Sequence, residues 1–156
     1  MPLTVEQQAT NYQTMQHIDR VRHYMRKVTV ELLRRMAEHD ASKLASPEVE
    51  AFTELTPLLA DSTYGSPEYK ALLERLGPAL KHHYECNRHH PEHHANGVND
   101  MDLVDLIEML CDWKAAGERH KDGSMVRSIK VNTERFGLSP QLVSILEKTA
   151  WFLESR

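Results

Sequence analysis

The stretch HHYECNRHHPEHH, residues 82–94, holds six of the chain's ten histidines. Neutral imidazole is a ligand for Zn, Fe, Mn, Co and Ni, so this density of rings raises the question of a transition-metal site. The competing reading is a solvated polar loop. Two other stretches carry side chains that could share an ion with it. In EHDASKLASPE, residues 38–48, His39 and Asp40 offer a nitrogen and an anionic oxygen at a helix end. Lys43, three residues on, shares the helical face of Asp40 and could meet a phosphate. In LVDLIEMLCDW, residues 103–113, Asp105, Glu108 and Asp112 fall at i, i+3 and i+7 on one helix face. A plain amphipathic surface helix has the same pattern, but three carboxylates on one stripe repel one another unless a cation is shared.

The histidine stretch has its own geometry. Pro78 opens a helix on which His83, Asn87 and His90 share a face, with His82, Cys86 and His89 on the adjacent one. His89 lies where the helix frays before Pro91, which disfavours helix at His90 and ends the segment. PEHHANG then forms an exposed turn, with His93 and His94 mostly in solvent. A thiolate from Cys86 would indicate structural zinc, but there is no paired CxxC spacing, so Cys86 and Cys111 are expected to be packing thiols.

Strand signals are nearly absent, and helix punctuation is frequent. Ser46-Pro47, Ser66-Pro67 and Ser139-Pro140 each precede an apolar-periodic run, with serine able to cap and proline suited to the first helical position. Gly77, Gly117 and Gly137 fall where periodicity ends, suiting a left-handed cap. The expected helices run at about 5–38, 47–60, 67–76, 78–90, 100–116, 124–136 and 140–154. This is an all-α chain, one compact domain of six to seven helices over residues 1–156. If residues 5–38 form one unbroken helix, His17 and His39 lie ~33 Å apart along its axis and cannot share an ion. His17 reaches the site only if the chain breaks near Val28-Thr29-Val30.

The chain's 156 residues suffice for one substantial core. A net charge of −4 argues against sequence-independent nucleic-acid binding. No apolar run reaches the ~18 residues of a membrane span, and the N-terminus lacks a signal-peptide pattern. The expected setting is the cytosol of a bacterium or a phage-infected cell, with both cysteines as thiols. A homo-oligomer is compatible with these numbers.

With these residues assembled, the order His17…His39-Asp40…Asp/Glu resembles the HD-domain metal-dependent phosphohydrolases, with HDASK similar to their HD-x-G-K stretch and HIDRV to their leading histidine motif. The whole chain more closely resembles a small phage and bacterial family of unknown function. Its members show HD-x-SK, N-x-HH and EM-x-CDW, here residues 39–43, 87–90 and 108–113. The first resemblance implies an HD-like fold and hydrolysis of a small phosphorylated substrate, a nucleotide or related phosphate ester. The ligands of one or two divalent ions would be drawn from His17, His39, Asp40, His83, His89, His90, Glu108 and Asp112. The last carboxylate is open among Asp105, Glu108 and Asp112. Imidazole nitrogens with carboxylates suit Mn, Fe, Co, Ni or Zn. Such an ion would activate water at Asp40, while Lys43 and Arg88 stabilise phosphate charge. The alternatives are an HD-like iron oxygenase using the same ligands, and a non-catalytic phage or host interaction module with a closed, structural metal.

Overall fold

Helix starts and stops follow the local punctuation in most places and depart from it where packing or the histidine segment intervenes. The computed structural model describes residues 2–61, 67–118 and 124–154, without the side chains of Ala60 and Tyr69. Six α-helices and no strand occur among the described residues: α1 (Val5–Glu38), α2 (Glu48–Asp61), α3 (Pro67–Cys86), α4 (Leu103–Gly117), α5 (Met125–Phe136) and α6 (Pro140–Glu154). Short 3-10 turns occupy Ala41–Leu44, Pro91–His93 and Gly97–Asp100. The all-α class is as expected.

Ser139 caps α6 as the Ser-Pro pattern predicts, its Oγ accepting from the backbone N–H of Leu142 at 3.2 Å. Gly137 ends α5 in the left-handed region at φ 64°. At the first Ser-Pro pair the cap is backbone: the Ala45 carbonyl accepts from the N–H groups of Glu48 and Val49. Ser66 lies outside the described residues.

Two boundaries differ from expectation. Gly77 and Pro78 do not divide two helices but lie inside α3. An interior proline costs about 3 kcal/mol, yet Leu76 and Ala79 on either side of the pair are buried with Leu55 of α2, and that apolar burial offsets the cost. At its other end α3 stops at Cys86 rather than near His90. Gly117 is the last residue of α4, and Glu118 follows it in right-handed geometry. It is therefore not a left-handed cap.

The chain divides into two units, Met1–Ala37 and Glu38–Arg156. The first is helix: α1 continues through Val28-Thr29-Val30 without a break, since β-branching alone is a weak breaker. At ~1.5 Å per residue, His17 lies roughly 30 Å along the helix axis from Ala37, the last residue of this unit. The hairpin that would have brought it back does not form.

Inside the second unit there are two apolar clusters. One joins α4, α5 and α6 around Met109, Leu110, Ile129 and Leu146. The other joins α2 and α3 around Leu55, Leu76 and Ala79. A third set of fully buried side chains is polar: Glu48, His83, His89 and Asp105. Such groups are rarely buried unless paired, so the polar set must hold its own balance of donors and acceptors. Among the described residues no helix is long and apolar enough to cross a membrane.

Candidate metal centre

The centre begins where α1 ends. Asp40 adopts φ 54° and ψ 14°, a left-handed conformation that aspartate tolerates better than most residues. Its carbonyl accepts from Lys43 N–H at 2.9 Å, starting the 3-10 turn. The two carboxylate oxygens face different neighbours. Oδ1 lies 3.3 Å from His83 Nε2 and 3.6 Å from His89 Nε2. Oδ2 lies 2.7 Å from Lys43 Nζ and 3.7 Å from His39 Nε2.

The end of α3 supplies the next ligands. Asn87 donates through Nδ2 to the His83 carbonyl and to Ser42 Oγ, both at 2.8 Å, tying the helix terminus to the 3-10 turn. Glu48, at the start of α2, is 0 % exposed and lies between two adjacent histidines. His82 Nδ1 is 2.7 Å from Oε1, and His83 Nδ1 is 2.9 Å from Oε2. An ionised carboxylate only accepts, so both rings donate to it through Nδ1–H. Burial would raise the Glu48 pKa, but hydrogen bonds from His82, Ser42 and His83 outweigh burial and hold it below the usual carboxylate range. His83 Nε2 is therefore left with a lone pair. It faces His90 Nε2 at 2.9 Å and Asp40 Oδ1.

His89 and His90 follow the helix rather than belong to it, and both turn inward. His89 is 1 % exposed. The expected solvated loop that follows is not one. His93 Nδ1 donates to the Tyr84 carbonyl and His94 Nε2 to the Arg88 carbonyl, both at 2.8 Å. Neither ring is fully exposed. Because α3 stops at Cys86, the Tyr84 carbonyl in its last turn lacks a helical partner; His93 satisfies it, and His94 satisfies the Arg88 carbonyl just beyond, folding the loop back onto the helix. His93→Ala and His94→Ala should accordingly each lower the unfolding free energy, measured by urea denaturation, by about 1–2 kcal/mol. Changes within ~0.5 kcal/mol at both positions would mean the clamps are ornamental.

Helix α4 supplies the remaining carboxylates. Glu108 Oε1 is 2.9 Å from His39 Nδ1 and 3.2 Å from His89 Nδ1, and Asp112 Oδ1 is 3.9 Å from His39 Nε2. Asp105 has another task. Fully buried, it binds Arg88 Nη2 at 2.9 Å and forms a capping box with Asp102 at the start of α4. The structure thus places Arg88 in an ion pair with Asp105. His39, Asp40, His83, His89, His90, Glu108 and Asp112 are gathered together, whereas His17 is in none of the metal-capable groups among the described residues. Trp113 stacks near Phe136 at 6.3 Å beside the α4–α6 cluster.

Whether these residues fit a cation is decided by their unsatisfied atoms. Asp40 Oδ1 and both ring nitrogens of His89 are buried without a hydrogen-bond partner. His89 Nδ1 is close to Glu108 but not aligned with it, and each such orphan costs about 1–3 kcal/mol. Asp40, His83, His89 and His90 form one metal-capable group, and His39, Asp40 and Asp112 form another that shares Asp40. The first offers three imidazoles and a carboxylate, a donor set suited to Zn, Fe, Co or Ni. Glu48 behind His83 and Glu108 behind His39 are carboxylates of the kind that commonly orient metal-binding imidazoles.

Two of the rings, His83 and His90, are electrostatically prepared for this. Burial, with the charge of Lys43, lowers the His83 pKa. Burial, with the neighbouring His89 and His83, pushes His90 down to about 3. His39 is raised by its hydrogen bond to Glu108. Asp40 is held down by Lys43 although burial opposes this. In metal-free protein, the unfolded chain binds a proton at His90 below pH 6.5 that the folded chain refuses until about pH 3. Stability should therefore fall as pH falls through that window. His39 has the opposite sign: its contribution is present below pH 6.5 and lost as pH rises through its raised pKa. Urea midpoints across the acid window should decline less steeply in His90→Gln, and an equal slope would show that His90 is not held neutral.

Glu48 is the residue that sequence reasoning missed. After Ser46-Pro47 it reads as an ordinary helix-start acid. Cys86 and Cys111, expected to be packed, are both exposed. Residues 6–151 match a family of unknown function (DUF5662), and the chain belongs to it. No curated protein and no solved structure matches the chain.

Proposed function

We propose that this member of the family is a metal-dependent phosphohydrolase with an HD-like centre, acting on a nucleotide or related small phosphate ester. One observation carries the reading: His83 Nε2 and His89 Nε2 converge on Asp40 Oδ1, and the His89 nitrogen and the Asp40 oxygen are both buried without a hydrogen-bond partner. A cation resolves that conflict. His83, His89, His90 and Asp40 would hold the main ion, and His39, Asp112 and the second oxygen of Asp40 a harder one. A divalent ion there supplies Lewis acidity toward a phosphoryl oxygen.

The protein's own contribution is positioning. Glu48 and Glu108 fix the ring tautomers. Lys43, part-exposed at Asp40, supplies a cation for phosphate oxygens at the edge of the centre. Arg88, engaged by Asp105, acts by holding the segment that carries His89 and His90.

The test is elemental analysis of tag-free protein, followed by a hydrolysis screen over nucleotides and simple phosphomonoesters with Mn, Co, Ni, Zn and Mg. Metal-dependent phosphate release that is lost in Asp40→Asn is the expected result. Turnover that requires ferrous iron and O₂ would replace this reading with the oxygenase one. A bound metal without turnover would favour a structural ion in an interaction module.

A further inference from the structure

The outer face of α3 carries a cluster that the central site does not use. Cys86, His82 and Glu48 bring a sulfur, an imidazole nitrogen and a carboxylate oxygen within 4.8 Å of one another. His82 and Cys86 are four residues apart on the last turn of α3 and therefore face the same way. Cys86 Sγ lies 3.7 Å from His82 Nε2 and 3.8 Å from its Nδ1, so a rotation of the exposed thiol about its Cα–Cβ bond brings it to the Nε2 side. For tetrahedral zinc, typical bond lengths place a sulfur and a nitrogen ligand about 3.6 Å apart. Glu48 Oε1 accepts Nδ1–H of His82 at 2.7 Å, which leaves the lone pair on Nε2, the one ring nitrogen free to bind a metal beside the sulfur. This is the carboxylate–histidine arrangement that supports metal-binding imidazoles elsewhere. Glu48 is buried, His82 half-buried and Cys86 exposed, so the pair opens outward.

We propose that Cys86 and His82, backed by Glu48, form a second metal site for a thiophilic divalent ion of the zinc class, separate from the central cluster. Cys86 binds as thiolate and gives its proton to solvent as the metal–sulfur bond forms. The remaining coordination positions open to water. Soft sulfur selects a different ion from the imidazole–carboxylate centre beneath it, so the two sites differ in metal preference although Glu48 contacts a histidine in each. The inference does not rest on the hydrolase reading.

Reduced, chelator-stripped full-length protein is titrated with Co²⁺ and followed by thiolate-to-cobalt charge-transfer absorption in the near ultraviolet. The band should appear in the wild type, persist in His90→Ala and in Cys111→Ser, and vanish in Cys86→Ser and His82→Ala. Zn²⁺ should bleach it and should slow alkylation of Cys86 at least severalfold in the wild type but not in His82→Ala. Since Cys86 is exposed, Cys86→Ser should remain folded, and circular dichroism checks this. No band at saturating Co²⁺, or a band that survives Cys86→Ser, overturns the proposal. Loss of the band in His90→Ala would also overturn it, because the sites would then not be separate.

Discussion

Asp40→Asn should fold as well as the wild-type apo-protein and yet lose more than about 100-fold in affinity for metal. Second-sphere carboxylates alone are commonly worth 10–100-fold, and the Asp40 carboxylate faces two imidazoles directly. Asparagine keeps the left-handed conformation at φ 54° while removing the charge and turning one carboxylate oxygen into an N–H donor. Asp40→Gly adopts the same backbone more easily and should also bind no metal. Asp40→Ala combines ligand loss with backbone strain of about 1–2 kcal/mol, so its lower stability is a separate effect. Metal content by elemental analysis and apo-protein melting curves distinguish the two. If Asp40→Asn retains full metal content, the carboxylate is not a ligand.

Chelation of metal-loaded wild type should lower the melting temperature by on the order of 10 °C. An ion at ~1,000 times its Kd stabilises by about 4 kcal/mol, and 1 kcal/mol moves a domain of this size by roughly 2–4 °C. The ligands come from the turn after α1, from α3, from the loop beyond it and from α4, so binding joins segments that are far apart in the chain. The same chelator should leave the melting curves of Asp40→Asn and His83→Ala unchanged. A wild-type curve indifferent to chelator, in a sample shown to contain metal, would mean the ion does not bridge these elements.

Local chemistry marks what the sequence can reveal here. Ser139-Pro140 and Gly137 act within a few residues of themselves, and their caps are where the pattern puts them. The Glu108 and Asp112 stripe reaches the centre because helical phase alone aligns it, although Asp105 on the same stripe turns to Arg88. What was hidden depends on distance. Glu48 meets His83 across the packing of α2 on α3, and nothing in its own surroundings distinguishes it from a helix-start acid. Gly77-Pro78 read as a boundary because the burial of Leu76 and Ala79 against Leu55 is a tertiary fact. His93 and His94 read as solvent-facing because their acceptors are set by how the segment folds: the Tyr84 carbonyl is freed only when the helix stops early, and the Arg88 carbonyl is met only when the loop turns back.

The grip of Glu48 on two consecutive histidines makes α3 a phase-sensitive component. Neighbouring residues on a helix point about 100° apart, and a single carboxylate reaches both rings only at one rotation of α3 about its axis. Inserting one alanine after Pro78 would turn everything downstream by that angle, bringing Lys81 and His82 to where His82 and His83 now stand. The apolar packing upstream of the insertion could survive, since its residues keep their phase. Glu48 would then hold a lysine beside a histidine, and the ring that should face Asp40 would point elsewhere. Such a chain should stay helical but lose its metal, and deleting a residue on the far side, between Cys86 and His89, should not restore it.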